Sequence, residues 1–157
     1  SNYNAHHIQE IETAGLEMPA ANQIEIHPWH LVRPELEGYM NSHNILPIAY
    51  SSLAPIPNWR EGSQWNGKPE EMKTGAMPFQ DIADRYNVTV PQILLKWGIQ
   101  MNYPVLPKSV KLDRLKENLE LDNFTISDKD IKFISSLAKD DQQCLAWSGN
   151  FDPLDTD

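Results

Sequence analysis

Pro104-Val105-Leu106-Pro107-Lys108-Ser109-Val110-Lys111-Leu112-Asp113-Arg114-Leu115-Lys116-Glu117-Asn118 is the stretch from which the fold can be read. It reads as a short buried strand, a polar turn and the start of a helix. Lys108 and Ser109 then fall at the carboxyl end of the strand, which is the ligand side of a parallel α/β fold. Arg114 and Asn118 are four residues apart and share one helix face. Phosphates favour helix N-termini, because the free N–H groups and the helix dipole both point at them. Lys108 and Arg114 add full positive charges, and a guanidinium suits a bidentate grip on phosphate. The residues therefore suggest a phosphate-bearing cofactor held at this turn. An ordinary βα loop leading to a solvated basic helix face is the alternative that the stretch leaves open.

Working outward, the segments before this stretch alternate between strand and helix signals. Residues 5–14 read as a helix with Ile8 and Ile11 on one face, stopped at Gly15 with Pro19 soon after. Residues 21–26 read as a strand with β-branched Ile24 and Ile26, ended by His27-Pro28. A helix opening at Arg33-Pro34 runs to about His43, and residues 45–51 form a near-continuous apolar strand. Residues 79–86 and 90–101 read as helices, the second with an apolar stripe of Ile93, Leu94, Trp97 and Met101 that marks core. Residues 124–126 read as extended. Ser127 caps a last helix, with Asp130 where a capping box favours Glu. Strands alternating with helices imply a parallel sheet with right-handed crossovers.

Residues 52–77 form a long loop that carries Trp59, Arg60, Trp65 and Lys68 among several prolines and glycines. Such loops either serve function or run as surface excursions, and this one could cover a ligand. Residues 140–157 are an acidic tail in which Trp147 could reach over the site or pack outside it.

The 157 residues are enough for one domain, and 40% of them are apolar. A net charge of −9 argues against a nucleic-acid binder, which needs a basic footprint. Against that background Lys108, Lys111, Arg114 and Lys116 cluster within nine residues, although Asp113 and Glu117 partly neutralise them. The single cysteine, Cys144, excludes an internal disulfide framework and fits a reducing compartment, so a cytoplasmic location is expected. No apolar run is long enough to span a membrane. His6-His7 lacks partners at metal-ligand spacing and reads as helix surface. The chain has no initiator Met or secretory leader at its start, so a processed chain or a piece of something larger is expected.

Four segments, in order and at matching spacing, resemble the aldo-keto reductases. They are Ser1-Asn2-Tyr3-Asn4, Asn22-Gln23-Ile24-Glu25-Ile26-His27-Pro28, Ala49-Tyr50-Ser51-Ser52-Leu53, and Pro107-Lys108-Ser109-Val110 through Arg114 and Glu117-Asn118. The likeness runs from Ser1 to about Leu137. It implies a parallel (β/α)8 barrel of the TIM type and a nicotinamide dinucleotide, NADP(H), used to reduce aldehydes and ketones. It implies that Ser1 and Asn2 hydrogen-bond the nicotinamide carboxamide, with Gln23 beside them, and that Tyr50 stacks on the ring. Ser51 and Leu53 would begin the cover over the pyrophosphate. Lys108, Ser109 and Arg114, with Val110 in the same turn, would hold the adenosine 2′-phosphate, and Glu117 and Asn118 the adenine. His27 is expected to order the barrel rim rather than to react.

The family's Tyr, Lys, Asp and His tetrad has no counterpart in these residues. The resemblance therefore implies the carboxyl-terminal half barrel, about strands 6–8 with their helices, in residues 1–139, followed by the tail. Such a half exposes two sheet edges and one apolar face. It is expected to be marginal alone, to oligomerise, or to need the missing half or another chain. Two functions follow as expectations. One is the cofactor-binding half of an NADPH-dependent reductase of small carbonyl substrates; the other is an inactive barrel fragment serving as a binding or structural subunit. Ser51-Ser52-Leu53-Ala54 also departs from the family's Ser-Pro-Leu-Gly, placing a Cβ where glycine would permit positive φ and close approach to pyrophosphate.

Overall fold

The computed structural model describes residues 1–56, 78–138, 144–146 and 153–155. Asn4 caps the first helix, α1 (Ala5–Thr13). Its side chain accepts from the His7 N–H at 2.9 Å, and His7 Nδ1 accepts from the Asn4 N–H at 3.2 Å. His7 thus fills the place that Glu or Gln takes in a reciprocal cap. Gly15, at φ +66°, ends the helix. The Gly15 and Leu16 amides bond back to the Glu12 and Ile11 carbonyls at 2.9 and 3.2 Å, a closure that needs a left-handed residue.

β1 (Ala21–Glu25) and β2 (Leu46–Tyr50) pair in parallel, with Ala21 opposite Leu46 and Glu25 opposite Tyr50. The crossover between them is α2 (Pro34–Ser42), which has proline at its first turn, where a missing N–H has no consequence. Side chains alternate across the sheet. Asn22, Ile24, Pro47 and Ala49 are buried on one face, while Gln23, Leu46, Ile48 and Tyr50 lie on the more open one. The ladder continues outward at both edges. Asn2 N–H donates to the Gln23 carbonyl at 2.9 Å, and Ala49 bonds Pro104 and Leu106 at 2.8 and 3.2 Å. Sheet neighbours therefore follow chain order, as in a (β/α) barrel and unlike the switched order of a doubly wound sheet.

Two extended segments differ from expectation. The strand anticipated at 104–107 is reduced to one parallel bridge, Ala49 with Val105. Pro104 and Pro107 lack the N–H groups that a longer ladder would use. Residues 124–126 join no sheet. The Gln100 side chain takes a strand's place, accepting from Ile126 N–H at 2.8 Å and donating to its carbonyl at 2.9 Å.

The other α-helices among the described residues are α3 (Gln80–Tyr86), α4 (Val90–Gln100), α5 (Leu112–Leu119) and α6 (Asp128–Ser135). Ile93, Leu94 and Trp97 of α4 are buried as the stripe predicts, and Trp97 Nε1–H donates to Ser135 Oγ at 3.0 Å. Ser127 caps α6 by accepting from Asp130 N–H. The reciprocal half of that cap is not made, because Asp is one methylene shorter than Glu. Ser127 N–H donates instead to the Tyr86 hydroxyl at 2.8 Å, and the Asp130 carboxylate accepts from Tyr86 and Arg85. α1 and α2 are tied by Glu12, which accepts from the Tyr39 hydroxyl at 2.6 Å and faces His43 Nε2 at 3.4 Å.

Gly98 is where α4 approaches the Val105 bridge. A Cβ there would lie 2.7 Å from Val105 Cγ1. Val105 is β-branched and has little rotamer freedom with which to withdraw. Gly98→Ala is expected to destabilise the protein by about 1–2 kcal/mol through overpacking. Urea unfolding should show a lower midpoint, and the added Val105→Ala change should restore part of the loss.

Candidate functional site

The site is built at the carboxyl ends of β1 and β2. Tyr50 ends β2, half-buried, and its hydroxyl donates to Asn2 Oδ1 at 2.8 Å. Asn2 is held at φ 57°, a left-handed conformation that asparagine tolerates better than most residues. Its N–H reaches the Gln23 carbonyl, so backbone and side-chain bonds bring Asn2, Gln23 and Tyr50 together. The Gln23 side chain is exposed, on the same sheet face as Tyr50.

The segment carrying Ser1 and Asn2 is fixed by a residue that the sequence reading did not single out. Asn22 is buried; its Oδ1 accepts from Tyr3 N–H at 3.2 Å and its Nδ2 donates to the Tyr3 carbonyl at 2.7 Å. A side-chain amide thus stands in for a backbone strand partner. Only its position next to Gln23 in the quoted motif could have drawn attention to it.

After Tyr50 the chain turns sharply. The positive φ of this turn falls on Ser51, at 55°, and not on Ala54. Ala54 is 0% exposed, and its N–H donates to the Ser51 carbonyl at 2.8 Å. The Cβ that Ala54 carries in place of glycine is therefore a core contact. Leu53 packs partly buried against that core. The loop containing Trp59, Arg60, Trp65 and Lys68, and the tail residue Trp147, lie outside the described residues.

Lys108, Ser109 and Val110 follow the Val105 bridge, with Lys108 exposed and Val110 83% exposed. Ser109 Oγ accepts from Lys111 N–H at 3.1 Å and so shapes the entry to α5. No side chain caps α5. Arg114 sits exposed in its first turn, while Glu117 and Asn118 are half-buried. Lys111 is the N-cap residue and Arg114 lies in the first turn, so both belong to the positive end of the helix dipole. α5 is tied to α4 by Gln92, whose Nε2 donates to the Glu117 and Glu120 carbonyls, each at 3.1 Å.

A second polar node lies one residue pair further along the sheet and was not anticipated. Glu25, at the end of β1, is only 2% exposed. Its carboxylate accepts from His27 Nε2 at 2.9 Å, Cys144 Sγ at 2.7 Å, Leu145 N–H at 2.6 Å and Ala146 N–H at 2.9 Å. Burial opposes its ionised form, but these hydrogen bonds outweigh it and hold the carboxyl below its ordinary pKa. His27 Nδ1 accepts from Trp29 N–H at 3.3 Å, which leaves the ring proton on Nε2 facing Glu25. Burial pushes the His27 pKa down, and the Glu25 hydrogen bond opposes this without reversing it. His27 is thus held neutral, bonded to Glu25 and the Trp29 backbone. Among the described residues no group of His, Cys, Asp or Glu is placed to hold a metal, and no helix is long and apolar enough to cross a membrane.

The chain belongs to the aldo-keto reductases: the Aldo/keto reductase family model matches residues 1–139. It is 36% identical over 137 residues to an NAD(P)H-dependent pentose reductase of Pyricularia oryzae, covering 87% of this chain and 41% of that protein. It is 31% identical to a glyoxal reductase of Bacillus subtilis, covering 90% of this chain and 46% of that one. Among solved structures, an aldo-keto reductase of Bombyx mori in complex with NADP superposes with a TM-score of 0.72 at 27% identity, covering 88% of this chain and 43% of that one. The aldose reductase from Schistosoma japonicum gives 0.69 at 28% identity, covering 88% and 40%. The chain spans less than half the length of these relatives.

Proposed function

We propose that this chain supplies the cofactor-holding, carboxyl-terminal half of a (β/α)8-barrel reductase that uses NADPH to reduce small aldehydes or ketones. The observation that carries the reading is the joining of Asn2, Gln23 and Tyr50 on the open face of the sheet, at the end where barrel ligands bind. Tyr50, steadied through its hydroxyl, offers a ring face to a nicotinamide, and Ser1, Asn2 and Gln23 offer polar groups to its carboxamide. Ser51 and Leu53 begin the cover over the pyrophosphate. The uncapped, cationic start of α5 suits the 2′-phosphate, through Lys108, Ser109, Val110 and Arg114, with Glu117 and Asn118 toward the adenine. When bound, NADPH supplies the hydride. The proton-donating Tyr, Lys, Asp and His are proposed to lie on polypeptide outside these residues. Support for the reading comes from the relatives named for NADP(H)-dependent reduction and from the NADP-bound neighbour.

One observation favours the second reading, a barrel unit retained for binding or structure without turnover. Leu112, Leu115 and Leu119 share a face of α5 and are exposed, as an interface would require. Cofactor titration separates the two. NADPH fluorescence should saturate with the full-length protein, and Arg114→Met should weaken NADPH at least about tenfold while leaving NADH within twofold, because charge-assisted phosphate bonds contribute about 1.5–3 kcal/mol. No NADPH binding, or equal weakening of both cofactors, would defeat the cofactor reading.

A further inference from the structure

We propose that residues 144–146 form a strap latched by the buried carboxylate of Glu25, so that removing this charge opens the strap and uncovers Cys144. A carboxylate 2% exposed must have its lone pairs satisfied, since burying it unpaired is strongly unfavourable. Apart from His27, its partners all come from residues roughly 120 positions away in the chain: the Cys144 thiol and the Leu145 and Ala146 amides. Opening the strap would leave His27 as the carboxylate's one remaining partner among the described residues. Charge on Glu25 and closure of the strap are therefore linked.

The location gives the latch a consequence. Glu25 stands opposite Tyr50 in the sheet register and two residues after Gln23, on the same face. The strap therefore comes down beside the residues assigned above to the nicotinamide, and only this consequence rests on that assignment. A second pin holds the tail further on, where Asn4 Nδ2 donates to the Leu154 carbonyl at 3.0 Å. Among the described residues, the titratable groups facing the carboxylate are His27 from its own strand end and Cys144 from the strap, while His30 Nδ1 binds the Glu25 carbonyl at 2.9 Å.

The experiment is alkylation of Cys144 in the native full-length protein, followed by peptide mass. Glu25→Gln replaces one acceptor oxygen by an NH2 group that faces the strap's donors. Labelling of Cys144 should be at least about tenfold faster in this variant, the equivalent of 1.4 kcal/mol in the opening equilibrium. Labelling at the unaltered rate would overturn the proposal. If the variant does not fold, amide exchange of the unaltered protein tests the latch directly. Leu145 and Ala146 should be protected to a degree comparable with β1, and exchange at the rate of an unstructured peptide would overturn the latch. Neither readout uses NADPH, so failure here is distinct from failure of the cofactor reading.

Discussion

Lowering the pH from 7 toward 5 is expected to destabilise the protein by up to about 1.4 kcal/mol for each pH unit below the unfolded histidine value of 6.5. His27 is the cause. Folded, it is buried and neutral, with Nε2–H donating to Glu25 and Nδ1 accepting from Trp29 N–H. A second ring proton would point at the Trp29 amide and break that bond. The folded pKa therefore lies below the unfolded one, and below pH 6.5 the unfolded chain binds a proton that the folded chain refuses. Glu25 adds to the loss at lower pH. Its folded pKa is also depressed, so its contribution is present above the unfolded value of 4.5 and is lost as the pH falls through the folded one. His43 has the opposite sign. The Tyr39 carbonyl, and after it Glu12, raise its pKa, so its contribution is present at low pH and lost as the pH rises. It lies toward solvent, where screening keeps such a pair weak. Urea unfolding between pH 5 and 8 should show the slope, and His27→Asn should flatten it. A free energy of unfolding constant from pH 7 to 5 would mean that His27 is not held neutral.

The elements were legible because they rest on local chemistry. Gly15, Pro34 and Ser127 mark helix ends, and Ile93, Leu94 and Trp97 recur at helical spacing, so their positions follow from neighbouring residues alone. The third strand was misjudged for an equally local reason, since Pro104 and Pro107 cannot donate to a ladder. What the sequence did not reveal depends on distance. Nothing near Glu25 announces that its carboxylate will meet Cys144 and two amides beside it, and nothing near Ile126 announces the Gln100 side chain. The meeting of Asn2, Gln23 and Tyr50 was equally invisible to spacing; only the family resemblance suggested it. Asn22 escaped because a buried asparagine looks like any other strand residue until its partner, the Tyr3 backbone, is seen.

Asn22 should accordingly be the position where a small change does most harm to the proposed nicotinamide end. Asn22→Ala is expected to lower stability by about 2–3 kcal/mol, since it deletes two hydrogen bonds to the Tyr3 backbone and leaves both backbone groups without them. The loss should concentrate in the first residues, because Asn2 is otherwise tied to the sheet through its N–H on Gln23 and its Oδ1 on Tyr50. Asn22→Asp separates this bond-by-bond role from simple packing. It preserves shape and the acceptor for Tyr3 N–H, yet sets an oxygen against the Tyr3 carbonyl where Nδ2 now donates at 2.7 Å. If Asn22 acts as a substitute strand partner, Asn22→Asp should be nearly as harmful as alanine, and faster amide exchange at Tyr3 and Asn2 should accompany the loss in both. A packing role would leave the aspartate variant close to the unaltered protein in denaturant. Cofactor affinity supplies the functional readout: loosening Asn2 weakens its bond to the Tyr50 hydroxyl at the proposed nicotinamide site, so NADPH and NADH should weaken together. Arg114→Met, acting at the proposed phosphate end, should separate them.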